Sequence, residues 1–265
     1  MRIALALLRI GFLDAVQYRI EAFIWFLFDL LPPIVMVYLW LAVYEERADV
    51  AGYSLDQMLG YYVGVLILTT LLTSHVEWGI AHDVRQGLLS ALLLRPVSPW
   101  THWFMDNLAW KGARGLFLTP STLILIVALG GYLSLPRLSP LGVVLLIVSL
   151  VLAYLLCFTL KAILGMAAFW MTDVMGLIGV WEVLMLVLGG TVLPLELLPL
   201  PLQWIATVLP FKYIFAFPLT LGLGRLEPAE IWSGLVIQIA WLGIALLGAR
   251  LAWRRAIRRY EAVGN

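Results

Sequence analysis

Long apolar runs, separated by short polar or proline-rich stretches, set the pattern of this chain. They cover roughly 22–44, 57–76, 108–131, 141–168, 175–194 and 229–250. A helical bilayer crossing needs about 20 consecutive apolar residues, so the pattern predicts an all-α polytopic membrane protein with six transmembrane helices. Ahead of the first run, residues 2–17 place Arg2, Arg9 and Gln17 on one helical face, with Ile3, Leu7, Leu8, Ile10 and Leu13 largely opposite. That arrangement predicts an amphipathic N-terminal helix lying in the membrane interface. A cleaved signal peptide fits poorly, because Arg9, Asp14 and Gln17 break the apolar run and no small-x-small site follows.

The stretch between the fifth and sixth runs has a different texture. Residues 195–228 are strongly apolar, yet Pro199, Pro201, Pro210, Pro218 and Pro228 divide them. Each piece, including the one opened by Phe211, is too short to cross a bilayer. Backbone at membrane depth must be helical or buried in protein, so two short helices forming an outer re-entrant hairpin are expected. A seventh and eighth full span is the alternative, and the prolines oppose it. Pro32-Pro33 inside the first run predicts a kink there.

Composition agrees with the pattern. Of 265 residues, 63% are hydrophobic and 12% charged, against about 25% charged in soluble domains. No stretch remains for a second domain, so residues 1–265 form one membrane domain. The net charge of +1 gives no reason to expect a nucleic-acid partner, and the single cysteine, Cys157, excludes an intramolecular disulfide. The basic residues are unevenly placed. Twelve sit at the N-terminus (Arg2, Arg9, Arg19), around the second loop (Arg85, Arg95, Lys111, Arg114) and in the C-terminal tail (Arg250, Arg254, Arg255, Arg258, Arg259). The opposite loops hold only Arg47, Arg137, Lys212 and Arg225. Basic residues near span ends mark the cytoplasmic side, so both termini are expected in the cytoplasm.

Several chemistries are missing. The three lysines follow Trp110, Leu160 and Phe211, so no Gly-Lys-Ser/Thr phosphate-binding loop exists and any ATP-driven role needs another subunit. His75, His82 and His102 do not form the i, i+4 zinc-site pattern, and no Gly-x-Ser-x-Gly nucleophile elbow occurs. No catalytic, cofactor or metal site is expected. The charges deepest within the apolar runs are Asp29, Lys161 and Glu182. Ionisable groups in a span usually face the protein interior and pair. A Lys161–Glu182 bridge joining spans four and five is the structural reading, and substrate or proton handling by the same pair is the functional one.

The remaining polar stretch lies between spans two and three. Wound as a helix over 81–94, it gathers His82, Asp83, Arg85, Gln86 and Ser90 on one arc, with Val84, Leu88, Ala91 and Leu92 on the other. Leu89 and Leu93 then stand as apolar knobs in the polar arc, until Arg95-Pro96 stops the helix. Asp83-Val-Arg-Gln-Gly-Leu-Leu followed by Leu93-Leu-Arg-Pro-Val resembles the cytoplasmic loop of type-2 ABC exporter permeases, which are small bacterial six-span subunits. The likeness extends along the whole chain, from interfacial helix to re-entrant hairpin. It implies a permease of the bacterial inner membrane that pairs with itself or a paralogue and docks cytosolic ABC ATPase subunits. ATP and Mg would sit on those ATPases, with no cofactor bound by this chain. The resemblance makes 81–94 a coupling helix with His82, Asp83, Arg85, Gln86 and Leu89 in contact and Gly87 allowing close approach. Substrates of the family are varied (drugs, lipids and glycans). An ATP-independent secondary transporter or an integral membrane enzyme is the alternative, and Asp29, Lys161 and Glu182 are thin support for it.

The basic asymmetry makes a direct prediction about orientation. In a background lacking Cys157, Asp49→Cys reacts with an impermeant maleimide from outside the cell. Gln86→Cys and Arg258→Cys react only after permeabilisation. Reversed labelling would put the basic clusters outside and remove the cytoplasmic docking segment.

Overall fold

The computed structural model describes residues 19–133 and 138–260, side chains excepted at some positions of the first and fifth helices. The helix expected over 2–17, and Arg137 with its expected outer-loop position, lie outside the described residues. Among the described residues the regular structure is helical, apart from one isolated bridge between Val50 and Tyr53. The long helices are α1 (Arg19–Glu46), α2 (Leu55–Leu72), α5 (Pro99–Ala128), α6 (Pro140–Met166) and α11 (Pro228–Arg259). Between α2 and α5 lie two short helices, α3 (Val76–Arg85) and α4 (Leu88–Leu93). A fourteen-residue helix, α7 (Met175–Leu188), follows α6, and α8 (Leu200–Val208), α9 (Phe211–Ile214) and α10 (Ala216–Gly222) precede α11.

Local chemistry sets the helix ends. Pro99, Pro140 and Pro228 open α5, α6 and α11, where the missing amide hydrogen costs nothing. Ser139 Oγ accepts from the Gly142 amide at 3.0 Å to cap α6. Gln57 and Glu230 accept from the amides of Ser54 and Glu227 to start α2 and α11. At the other end of α2, Lys111 Nζ donates to the carbonyls of Thr70, Leu71 and Thr73 at 2.6–3.3 Å. One ammonium thereby satisfies the orphan carbonyls that end the helix.

Among the described residues, three helical stretches are long and apolar enough to cross a bilayer: Leu55–Arg85, Pro140–Phe169 and Pro228–Arg259. At 28 and 30 residues, α1 and α5 have the length for a crossing. The fifth expected span is shorter than its apolar run. Helix α7 stops at Leu188 because Gly189-Gly190 follows, with Gly190 at φ +77°, so its 14 residues reach about 21 Å. The proline-rich segment forms three short helices where two were expected, since Phe215 leaves helical geometry between α9 and α10.

Helix α6 is the hub. It packs against α2, α3, α9, α10 and, most extensively, α11. Gln238 of α11, fully buried, donates its amide hydrogens to the carbonyls of Tyr213 (2.8 Å) and Ser149 (3.3 Å), tying the proline-rich segment to both α6 and α11. Near the α1–α2 connection, Trp40 donates to Tyr62, while Tyr61 and Tyr62 donate to the carbonyls of Gly190 and Val192. The Arg225 guanidinium lies 3.6 Å over the Tyr53 ring, and Tyr53 donates to Glu196. Burial, followed by the Glu196 carboxylate, pushes the Tyr53 phenol well above its ordinary range, so it stays a donor.

One glycine decides how closely α3 approaches α6. Cys157, Lys161 and Gly165 recur at four-residue spacing, which puts them on one face of the helix. A Cβ added at Gly165 would lie 2.9 Å from both Cα and the carbonyl oxygen of Glu77. Small residues at helix crossings permit such backbone proximity in membranes. Gly165→Ala is therefore expected to destabilise the protein by about 1–3 kcal/mol, read as a lower Tm in detergent. Gly179→Ala, with open space around the added methyl, is expected to leave Tm unchanged or raise it. Equal effects at the two positions would show that the α3–α6 crossing is not this tight.

Candidate functional site

The polar segment between α2 and α5 is two helices, and this changes which side chains it offers. Helix α3 begins at Val76, directly after the Thr73-Ser74-His75 break, and ends at Arg85. Gln86 and Gly87 make the turn into α4, with Gly87 at φ +70° in the left-handed region. The continuous helix expected over 81–94 is thus interrupted, and the turn resets the helical phase. Leu89 is consequently fully buried rather than an exposed knob, in a cluster with Ile80, Leu92, Trp103 and Phe158. Leu88, Leu93 and above all Leu94, 88% exposed, are the apolar side chains the segment presents.

The other expected contact residues fall into place around that turn. His82, Arg85 and Gln86 are exposed. Asp83 is half-buried and accepts from the Trp103 indole at 2.7 Å. Arg85 stands 3.6 Å from Asp173, in the connection between α6 and α7, as a partly exposed pair of the kind that contributes little stability. Tyr260, at the end of α11, shares a hydrogen bond with Ser90 at 2.8 Å and donates to the Gly87 carbonyl at 3.3 Å. Trp100, Trp103 and Trp253 meet edge to face at 5.7–5.9 Å beneath it. The exposed tip is therefore held from below by α5, α6 and α11.

The inner face of α3 carries charge into the bundle. Lys161 Nζ donates to Glu182 Oε1 at 2.9 Å, the pairing expected from the sequence. It also donates to Glu77 Oε1 at 3.1 Å, across 84 residues of chain. Lys161 is 2% exposed, Glu77 fully buried and Glu182 56% exposed. Three helices, α3, α6 and α7, thus meet on one ammonium. Glu77 Oε2 has no partner among the described residues, and His75 Nδ1 lies 3.9 Å from Glu77 Oε1. Glu77 lies in the polar connection that ends the second apolar run, so hydropathy gave no hint that it turns inward. Asp29 falls in α1, and its side chain is outside the described residues.

In the proline-rich segment, Pro199 precedes α8, Pro201 sits in its first turn and Pro210 precedes α9. Phe211 is buried against Trp181 of α7, ring centroids 5.2 Å apart, and Pro218 is buried within α10. Helix α8 leaves Leu200, Trp204 and Val208 exposed, while α9 and α10 sink into the bundle.

Long apolar helices packed around a buried charge trio make this a polytopic membrane protein. The family described as ABC-2 family transporter protein matches residues 30–264, and the chain belongs to it as a transmembrane permease of an ABC transporter. Membership implies partnership with an ABC ATPase. No curated protein and no solved structure matches the chain.

The trio yields an order of mutational cost. Lys161→Met strands the buried Glu77 carboxylate, at about 3–5 kcal/mol for breaking a buried pair. Glu77→Gln costs less, because Lys161 keeps Glu182, and Glu182→Gln costs least, since that carboxylate is half solvated. Combining Lys161→Met with Glu77→Gln recovers much of the loss. Thermal unfolding of the four variants in detergent checks the order. A Glu182→Gln loss equal to that of Lys161→Met would mean the buried arm does not dominate.

Proposed function

We propose that this chain is one half of an ATP-driven exporter: a six-span permease of the bacterial inner membrane with both termini in the cytoplasm. It pairs with a second permease, identical or paralogous, and is driven by two cytosolic ABC ATPases that carry the ATP and Mg. The substrate class is hydrophobic or amphipathic. The α8–α10 segment acts as the outer re-entrant hairpin at the exit, with Pro199, Pro201, Pro210, Phe211 and Pro218 shaping its short helices.

One observation carries the reading beyond family membership. Helix α3 has an exposed face with His82 and Arg85, and an inner face with Glu77, Ile80 and Ala81 buried. Together with Gln86, the Gly87 turn and the exposed Leu94, this makes a coupling surface at one end and a grip on α6 at the other. A partner that shifts the tip shifts α3 as a rigid rod, and the Lys161–Glu77 contact passes that shift to α6. Asp83 serves by fixing Trp103, and Leu89 by anchoring α4 from inside. The surface knob falls to Leu94.

Arg85→Glu combined with Leu94→Asp tests this. Both positions are exposed, so the permease is expected to insert and to keep its Tm. Unmatched charge at an interface costs several kcal/mol, and the ATPase is expected to be lost from pull-downs of the detergent-purified permease, with ATP-driven transport in vesicles abolished. Asp173→Asn, which removes the Arg85–Asp173 pair and leaves Arg85 in place, controls for loss of that pair alone. Normal assembly and transport by the first double variant would remove the coupling role from this segment.

A further inference from the structure

Helices α5, α6 and α11 leave a groove of about 620 Å³ between them, towards the end of the bundle where α5 begins and α6 and α11 finish. Trp100 and Trp253 meet there, ring centroids 5.7 Å apart, and both line the groove. Along α11 the wall changes character, from Leu246 to Arg250 and then Arg254. Four helical residues rise about 6 Å, so aliphatic surface gives way to two guanidiniums within about 12 Å. Phe104 and Met105 of α5 and Leu155 of α6 supply the facing apolar surface. Like charges at i and i+4 repel each other, and no carboxylate lines the groove to offset them. Among the described residues neither guanidinium is in a salt bridge, and both side chains are exposed.

We infer that this groove is a binding site for one anionic phospholipid, its phosphodiester on Arg250 and Arg254 and an acyl chain along Leu246, Phe104 and Leu155. The inference goes beyond the permease reading and does not depend on it. It needs only α6 and α11 in a bilayer, for which both are long and apolar enough. An apolar channel that ends in a basic clamp fits a lipid at the boundary of hydrocarbon and headgroup, the depth that tryptophan favours. The planar guanidinium fork matches phosphate oxygens, and the bound anion relieves the repulsion between the two arginines. A zwitterionic phosphatidylcholine has the same phosphate and tails, but brings a quaternary ammonium to two guanidiniums. Free phosphate has no tail and leaves the apolar wall unfilled. Arginines that simply snorkel to the interface would attract anionic lipid wherever they stand on α11. Arg258 and Arg259, exposed at the same helix end but outside the groove, supply that comparison.

Native mass spectrometry of the full-length permease, delipidated in an uncharged maltoside detergent, counts bound lipids and makes the test. Dioleoyl phosphatidylglycerol and dioleoyl phosphatidylcholine, alike in their tails and different in headgroup charge, are titrated separately. The expected result is one tightly held phosphatidylglycerol per chain, with an affinity about tenfold or more above that of phosphatidylcholine. Arg250→Gln with Arg254→Gln is expected to remove that preference. Arg258→Gln with Arg259→Gln takes the same charge from the helix end and is expected to keep it. All these positions are exposed, and thermal unfolding confirms that both double variants are folded. Millimolar inorganic phosphate is expected not to displace the lipid. Equal affinity of the two lipids for the unaltered protein overturns the site. So does a preference that survives in folded Arg250→Gln/Arg254→Gln, or one lost equally in both double variants, which reduces the effect to surface charge. Displacement by inorganic phosphate leaves a bare anion site and overturns it too. The readout uses neither the ATPase nor transport, so failure here leaves the exporter reading standing.

Discussion

An ammonium group inside an apolar helix is the constraint on which this structure turns. Lys161 stands five residues before the end of α6, in a helix whose neighbours are almost all aliphatic or aromatic. Leaving it unpaired there would cost several kcal/mol even after local relaxation. It is satisfied only if α3 and α7 come close enough for Glu77 and Glu182 to reach it. The absence of a side chain at Gly165, one turn on, lets the α3 backbone approach. The charge demands the contact and the glycine allows it. The position of the polar segment follows, since α3 is fixed to α6 along its inner face.

The two arms of the trio are unequal, and this gives the bundle a preferred way to come apart. Glu77 is fully buried and Glu182 is half exposed. Separating the buried pair strands charge in a low-dielectric interior, whereas separating Glu182 leaves a carboxylate that is already half exposed. Under load, α3 and α6 therefore move together and α7 parts from them first. Helix α7 is also the short one, ending at the Gly189-Gly190 turn. In the proposed transporter, force entering at the tip of α3 would part Lys161 from Glu182 before it disturbs the α3–α6 contact.

Much of this was legible in the chain. Hydropathy located α1, α2, α5, α6 and α11, and proline spacing located the short helices before α11. Depth counting within neighbouring spans found the Lys161–Glu182 pair. Glu77 escaped because its partner is 84 residues away, and because it sits beyond the apolar run, among residues that read as interfacial. Leu89 was misplaced for a different reason. A helical wheel carries phase across every residue, and the left-handed Gly87 breaks that phase, so the side chains after it are rotated away from the projected arc. An isolated glycine inside a helical pattern weakens the case for one continuous helix, and a break read there would have moved the exposed apolar position along to Leu94.

The same turn separates the side chains that hold this segment from those it exposes. Before Gly87, the inward positions of α3 hold Lys161 and the core. After it, Leu89 and Leu92 hold α4 against Trp103 and Phe158. What remains outside is His82, Arg85, Gln86, Leu88 and Leu94, a mixed polar and apolar patch carried on a base braced by Tyr260 and the tryptophan cluster. In the proposed coupling role, a patch on so rigid a base would transmit displacement rather than absorb it, because its inner contacts are buried and its outer side chains carry little of the fold's stability. Substitutions at the outer positions should therefore report on partners, and those at the inner positions on folding.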